Sequence, residues 1–278
     1  MSTRLFSDRH RSREGGILLG GFFLLVFLIT YIWWPLAKEY LAYIDWHGPW
    51  WLFLDWLLIG VFAFMSITLV IGANLRHDSL VVFVGLIGGL MIEAWGTQTN
   101  LWSYYTAERP PLWIVPAWPI SALSIDRMTR FLQFISQREI KWNNHTLMIN
   151  LQLKVYRLLY WLIMIGFLAL MLSFVSPTLA KPYTSFALLV CLYLVVTPTD
   201  HRLAVLNFIS GTSLGYFLEL WGTTSECWTY YTLQTPPLFA VFAHGLAAVA
   251  FWRALLLMKF VAAKFAGFRL RMTTELGD

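Results

Sequence analysis

Stretches of about 20 apolar residues recur along this chain, and no other feature limits its fold so strongly, since a helix of that length crosses the ~30 Å hydrocarbon core of a bilayer. Eight such stretches stand out: Gly16 to Leu36, Trp50 to Ala73, Leu80 to Trp95, Leu112 to Ile135, Val155 to Val175, Phe186 to Thr197, Leu203 to Trp221 and Leu238 to Val261. The third is short, the fourth carries Asp126, Arg127 and Arg130, and Pro198 and Asp200 cut off the sixth. Composition agrees. Hydrophobic residues make up 58% and charged residues 13% of the 278, whereas soluble domains hold roughly 45–50% and about 25%. A water-soluble enzyme, a disordered chain, a coiled coil and a collagen are all excluded. The expected fold class is an all-α polytopic membrane protein with about eight transmembrane helices.

The positions of the charges set the expected orientation. Arg4, Arg9, Arg11 and Arg13 outnumber Asp8 and Glu14 before the first span, which places the N-terminus in the cytoplasm under the positive-inside rule. An even number of spans returns the C-terminus there, with Lys259, Lys264, Arg269 and Arg271. Arg76, Arg138, Lys141 and Arg202 fall in the inner loops of this topology, while the outer loops hold Lys38, Arg109 and Lys181. The net charge of +5 is thus explained by membrane topology, and no nucleic-acid partner is expected. The first span lacks a small-x-small cleavage site after Pro35 and reads as an uncleaved anchor. The localisation expected is integral to a bacterial cytoplasmic membrane.

Sliding the sequence on itself by 126 residues aligns EAWGTQTNLWSYYTAERPPLWIVPAW, from Glu93, with ELWGTTSECWTYYTLQTPPLFAVFAH, from Glu219, with 13 of 26 positions identical and no gap. Arg76 and Arg202, Gly85 and Gly211, Gly89 and Gly215, and Arg127 and Arg253 continue the match. Such a duplication implies two four-helix repeats at 16–137 and 153–261. The flanking segments are a basic N-terminus at 1–15, a linker at 138–152 and a tail at 262–278. Four spans per unit make the copies parallel, related by a pseudo-twofold axis along the membrane normal. Both motifs then lie at the non-cytoplasmic end. Gly-Thr reads as a helix stop, Trp-x-Tyr-Tyr as interfacial aromatics, and Pro-Pro as the start of the next helix.

Glu93 and Glu219 are the first candidates for chemistry, because an ionisable group at the end of an apolar run is costly and points by default to function. A desolvated carboxyl is suited to general-acid work. An equally weighted structural reading has each Glu accept hydrogen bonds from the Trp indole or Tyr hydroxyl of its own motif. His244, where the first copy has Trp118, lies about 10 Å along a helix from Pro237 and completes the candidate catalytic set; it reads either as a proton shuttle or as a hydrogen-bonded bundle histidine. Trp95, Trp102, Tyr104 and Tyr105, with Trp221, Trp228, Tyr230 and Tyr231, are the candidate substrate-binding residues. Asp126, opposite Trp252, is expected to pair locally with Arg127, and Arg127 and Arg253 to snorkel to lipid phosphate. The exposed Glu108 and Arg109 read as either a site entrance or a surface pair.

Six scattered histidines without H-x-x-H or H-E-x-x-H spacing predict no metal site, and no cofactor is expected. Phosphate-binding loops are missing. Cys191 and Cys227 form no CxxC pair, so no disulfide framework is indicated, and the sequon at Asn144 falls in an inner loop. Glu93, Gly96, Tyr104, Pro110, Leu112, Val115 and Pro116 form a pattern that resembles the membrane-bound carotenoid-biosynthesis proteins that include the bacterioruberin-type hydratases. The resemblance covers about 25 residues of each half and implies acid-base chemistry on a long isoprenoid, with a carboxyl protonating a carbon–carbon double bond. Three function classes follow: modification or binding of an apolar lipid, with membrane lipid as the partner; transport of a small substrate; and a structural or assembly role.

Overall fold

The computed structural model describes the backbone of residues 8–142, 146–197 and 200–275, and the side chains within 13–136, 153–197 and 200–264. The arginines before residue 13, the side chains of the linker at 138–152 with its sequon, and those of the tail beyond 264 lie outside the described residues. The chain runs through α1 Asp8–Ile32, α2 Trp34–Ala42, α3 Trp56–Val70, α4 Leu75–Thr99, β1 Trp102–Tyr104, α5 Ala117–Trp142, α6 Thr146–Val175, α7 Pro182–Val196, α8 His201–Thr224, β2 Trp228–Tyr230 and α9 Leu238–Glu275. It is an all-α architecture with apolar helices of membrane-crossing length. Among the described residues five stretches meet that standard: Arg13–Ile32, Leu75–Thr99, Leu153–Thr178, His201–Thr224 and Leu238–Lys264. α3 and α7 are apolar but only 15 residues long, about 22 Å at 1.5 Å per residue. α5 carries Asp126, Arg127 and Arg130.

Local geometry repeats at the sequence offset that superposes Glu93 on Glu219. Asn74 starts α4 by accepting from His77 N–H at 3.1 Å, and Asp200 starts α8 by accepting from Leu203 N–H at 3.0 Å, each satisfying an otherwise orphaned backbone donor. Positive φ occurs at Asn100 and Ala107 and again at their counterparts Glu226 and Leu233. The two halves of the chain differ before α3 and α7. The connection from α6 to α7 is short and holds only a 3₁₀ turn at Ser176–Thr178, whereas that from α1 to α3 contains α2 as well as a 3₁₀ turn at Trp50–Phe53. This extra segment is rich in exposed aromatics, among them Tyr43, Trp46 and Trp51.

α4, α5, α8 and α9 form the centre. The most extensive contacts are between α8 and α9, then between α4 and α5, and α5 also packs on α8 and α4 on α9. The flanking short helices reach across, with α3 touching α8 and α7 touching α4. Glycine stripes permit the close approach within each pair. A Cβ on Gly85 would lie 3.0 Å from the Pro119 Cα on α5, and one on Gly211 would lie 2.5 Å from the His244 carbonyl oxygen on α9. Such small-residue faces let helices pack by dispersion where lipid supplies no hydrophobic drive.

Candidate functional site: a pair of buried carboxylate cages

Glu93 sits two turns along α4 from Gly85 and is 3% exposed; Glu219 on α8 is 5% exposed. Each takes three hydrogen bonds. Glu93 Oε1 accepts from the Tyr104 hydroxyl at 2.9 Å and the Trp118 indole N–H at 3.0 Å, and its Oε2 accepts from the Trp102 indole N–H at 3.1 Å. Glu219 Oε1 accepts from the Tyr230 hydroxyl at 3.0 Å and meets His244 Nε2 at 2.9 Å, and its Oε2 accepts from the Trp228 indole N–H at 2.9 Å. Each carboxyl therefore bridges to its own motif strand, as one of the two sequence readings anticipates. The pattern also extends to the following long helix, which sequence reasoning on the motif alone did not connect. The signal was there, because Trp118 and His244 lie at equal spacing after their glutamates.

The cages are joined face to face. β1 and β2 pair antiparallel with Trp102 opposite Tyr230, Ser103 opposite Thr229 and Tyr104 opposite Trp228, so the symmetric centre of the ladder falls on equivalent residues. Trp118 stacks on His244 with centroids 5.4 Å apart and planes 17° from parallel. Trp102 lies against Tyr230 at 5.8 Å and Tyr104 against Trp228 at 5.9 Å. Burial raises the Tyr104 and Tyr230 phenols well above 10, and the nearby carboxyls add to the effect, so both remain hydrogen-bond donors.

The remaining motif aromatics are anchored elsewhere. Trp95 N–H donates to Thr184 Oγ1 at 3.3 Å and Trp221 N–H to Asp55 Oδ2 at 2.6 Å, each linking its α4 or α8 to a short helix of the other half. The Tyr105 hydroxyl donates to the Ile32 carbonyl at 3.0 Å, and the Tyr231 hydroxyl to the Phe174 carbonyl at 2.6 Å, so each motif clips the end of α1 or α6. Asp55, Thr184 and Trp33, which stacks on Trp221 at 5.6 Å, were not singled out by the sequence. Their partners lie far away along the chain, beyond any local spacing signal. All eight candidate substrate-binding aromatics thus spend their polar atoms on internal partners.

Gly96 and Gly222 are not helix stops. Both lie inside helices, which run on to Thr99 and Thr224, and Asn100 takes the left-handed conformation (φ 61°) after the first. Their role is clearance: a Cβ at Gly96 would lie 1.9 Å from the Trp102 ring, and one at Gly222 2.0 Å from the Trp228 ring. Pro237 directly precedes α9 as expected, but α5 starts only at Ala117, after a run of turns from Pro111.

Around the cages lies a cavity of about 1070 Å³, walled by Glu93, Glu219, His244, Trp95 and Trp221 and by apolar side chains of α1, α3, α6, α7 and α9. Apolar walls with a few convergent polar groups are the usual form of a ligand site. Cys227 in its wall is a free thiol that burial pushes up to about 12, which makes it a poor nucleophile.

Arg127 departs from the snorkelling expectation. Only 6% exposed, it pairs with Asp78 at 2.7 Å and Asp126 at 2.7 Å, while Arg130 reaches Asp126 at 2.8 Å and His77 Nε2 meets it at 3.2 Å. Asp78 is fully buried, so a paired guanidinium is needed there more than a lipid phosphate. Arg253 likewise turns inward, donating to the Leu194 carbonyl at 2.8 Å and Thr197 Oγ1 at 2.9 Å. His77, Asp78 and Asp126 bring ligand atoms within 4.8 Å of one another from two helices, a grouping that no linear spacing reveals. With Arg127, Arg130 and Lys259, the last 3.2 Å from His77 Nδ1, against two carboxylates, the group reads as an ion-pair knot and not a cation site.

No protein-family model, curated protein or solved structure matches this chain.

Proposed function

We propose that this is a membrane protein of eight spans, two parallel four-helix repeats about a pseudo-twofold axis, that binds an apolar, isoprenoid-like lipid and carries out acid-base chemistry on it. Both termini are assigned to the cytoplasmic side of a bacterial inner membrane, and the motifs to the opposite side. The observation that carries the lipid reading is the apolar chamber in whose wall both caged carboxyls lie. The resemblance of the Glu93 motif to carotenoid-biosynthesis proteins supports the same substrate class. The unbroken helices α4 and α8 favour a ligand chamber over a transport gate, which is typically built from interrupted helices.

The two cages then have different tasks. Indole N–H groups can only donate, so Trp118 and Trp102 hold Glu93 as a pure acceptor. His244 can donate or accept, so the Glu219–His244 pair can exchange a proton with a bound molecule. Glu93 is assigned a fold-holding role, and Glu219 with His244 the acid-base role. Aromatic faces around them suit a developing carbocation.

The test is purification in mild detergent with chromatography of co-extracted apolar lipids, for wild type, Ala243→Trp to fill the chamber, and His244→Trp to copy the first cage. One apolar species enriched on wild type and lost from Ala243→Trp is expected. His244→Trp should retain the lipid but leave the host lipid and pigment profile as in a strain lacking the protein. Absence of any enriched apolar species, or a product profile unaffected by His244→Trp, refutes the reading.

A further inference from the structure

Trp33 occupies the break between α1 and α2 and lies in the wall of the large chamber. It is only 7% exposed, yet its indole N–H has no hydrogen-bond partner among the described residues. A buried indole N–H usually finds an acceptor, and a native structure that leaves one without calls for a reason. The ring itself is held firmly, stacked on Trp221 at 5.6 Å with planes 22° apart and met edge to face by Trp113 at 5.2 Å. An aromatic face is a weak acceptor, and the Trp113 N–H is without a partner as well.

The same end of the chamber gathers carboxylates. Asp55, which starts α3, accepts from the Trp221 indole N–H through Oδ2 at 2.6 Å and from Leu58 N–H through Oδ1 at 2.9 Å. Glu39 on α2 and Glu226 after α8 also line the chamber, and neither side chain makes a hydrogen bond or ion pair among the described residues. No lysine or arginine stands in the wall among the described residues. At an offset of 126 residues Lys181 precedes α7 where Asp55 precedes α3, and Asn100 stands for Glu226, so this acidic end has no counterpart beside α7. There the chamber is lined by residues such as Phe186, Val190 and Leu194.

We propose that this end of the chamber holds an uncharged hydroxyl group at the tip of the apolar ligand, accepting from the Trp33 N–H and donating to one of the three carboxylates. A hydroxyl is both donor and acceptor, which this mixed wall requires. A hydrocarbon end leaves the Trp33 donor without a partner, and a phosphate or carboxylate head faces three acidic side chains with no cation in the wall to offset them. An ammonium head suits the carboxylates but offers Trp33 no acceptor. The inference rests on the lipid reading of the chamber, and it adds the chemistry of the ligand's polar end. That end is not the reacting end. The Trp33–Trp221 stack continues to Trp228, whose ring lies 6.3 Å from Trp221 and whose N–H is bonded to Glu219. The Trp221 and Trp228 rings thus separate Trp33 from the acid-base pair, and the hydroxyl sets where along the chain the chemistry falls.

The experiment is equilibrium retention, on the purified full chain in mild detergent, of three probes that share one apolar chain: geranylgeraniol, the hydrocarbon with hydrogen in place of its hydroxyl, and geranylgeranyl phosphate. Ala243→Trp gives the background of binding outside the chamber. The alcohol should bind about tenfold more tightly than the hydrocarbon, the effect of satisfying one buried donor, and about tenfold more tightly than the phosphate. Trp33→Phe keeps an aromatic ring but removes the donor, and should bring alcohol and hydrocarbon to within about twofold. It should not lower the thermal midpoint of the ligand-free protein, since the deleted N–H has no partner there, whereas an N–H with a structural role would lower it. The Glu39→Gln/Glu226→Gln protein, changed only at exposed side chains, should recover binding of the phosphate. A Trp33→Phe protein that still prefers the alcohol or unfolds at lower temperature, or a phosphate bound as tightly as the alcohol by wild type, overturns the inference. Equal binding of alcohol and hydrocarbon overturns it and leaves the lipid reading standing, while no chamber-specific binding of any probe overturns both.

Discussion

Alanine at Gly96 is the sharpest probe of the cage. The added Cβ falls 1.9 Å from Trp102 Cη2 and 2.0 Å from Cζ2, so the ring must retreat by about 1.5 Å to reach a carbon–carbon contact of ~3.5 Å. That movement stretches the 3.1 Å indole bond to Glu93 Oε2 beyond hydrogen-bonding distance and leaves a buried carboxylate oxygen without a donor. A hydrogen bond to a charged group contributes about 1.5–3 kcal/mol, and overpacking costs about 1–3 kcal/mol more. Alanine's better helix propensity returns ~1 kcal/mol. The net loss is about 1.5–5 kcal/mol, which for a chain of this size corresponds to roughly 3–20 °C in the thermal midpoint. The assay is thermal unfolding in detergent followed by size exclusion, with Gly166→Ala as the control, since a Cβ there meets nothing within 4 Å. Gly166→Ala should be neutral or slightly stabilising. Equal midpoints for the two variants would refute the clearance argument.

Arg127→Gln should destabilise by about 3–5 kcal/mol, because it strands the fully buried Asp78, whereas Arg253→Gln, whose donors go to a carbonyl and a hydroxyl, should cost about 1–2 kcal/mol; thermal midpoints of the two purified variants check the contrast. The Tyr104 and Tyr230 phenols are raised above their unfolded value near 10, so their neutral forms favour the folded state at every pH below ~10. That contribution is lost as pH rises from about 10 toward the folded values, so stability should fall in this alkaline window, and less steeply in a Tyr104→Phe/Tyr230→Phe protein. Unfolding midpoints from pH 8 to 11 measure it.

The membrane class was legible because apolar run length is a one-dimensional property, and the match at an offset of 126 residues because offset identity is one too. Glu93, Glu219 and the Trp-x-Tyr strands could be grouped within each motif, since their hydrogen bonds close over 9 to 11 residues. The glycines were misread for a physical reason: a glycine near a helix end commonly marks a left-handed cap, and only the Trp102 and Trp228 rings overhead reveal that the absent side chain makes room instead. Arg127 was misassigned for a similar reason. Its fully buried partner Asp78 comes from α4, and sequence placed the arginine only by depth along α5.

The sequence by itself determined an apolar helical chain with a motif that recurs at an offset of 126 residues, each time a carboxyl followed by a run of interfacial aromatics. The tertiary structure alone decided that the copies lock together through a strand ladder and a Trp118–His244 stack, and that a chamber forms around the caged carboxyls. The difference lies in range. Periodicity and repeats are written along the chain, whereas the ladder, the stack and the cavity arise from contacts between residues more than a hundred positions apart, which no local pattern encodes.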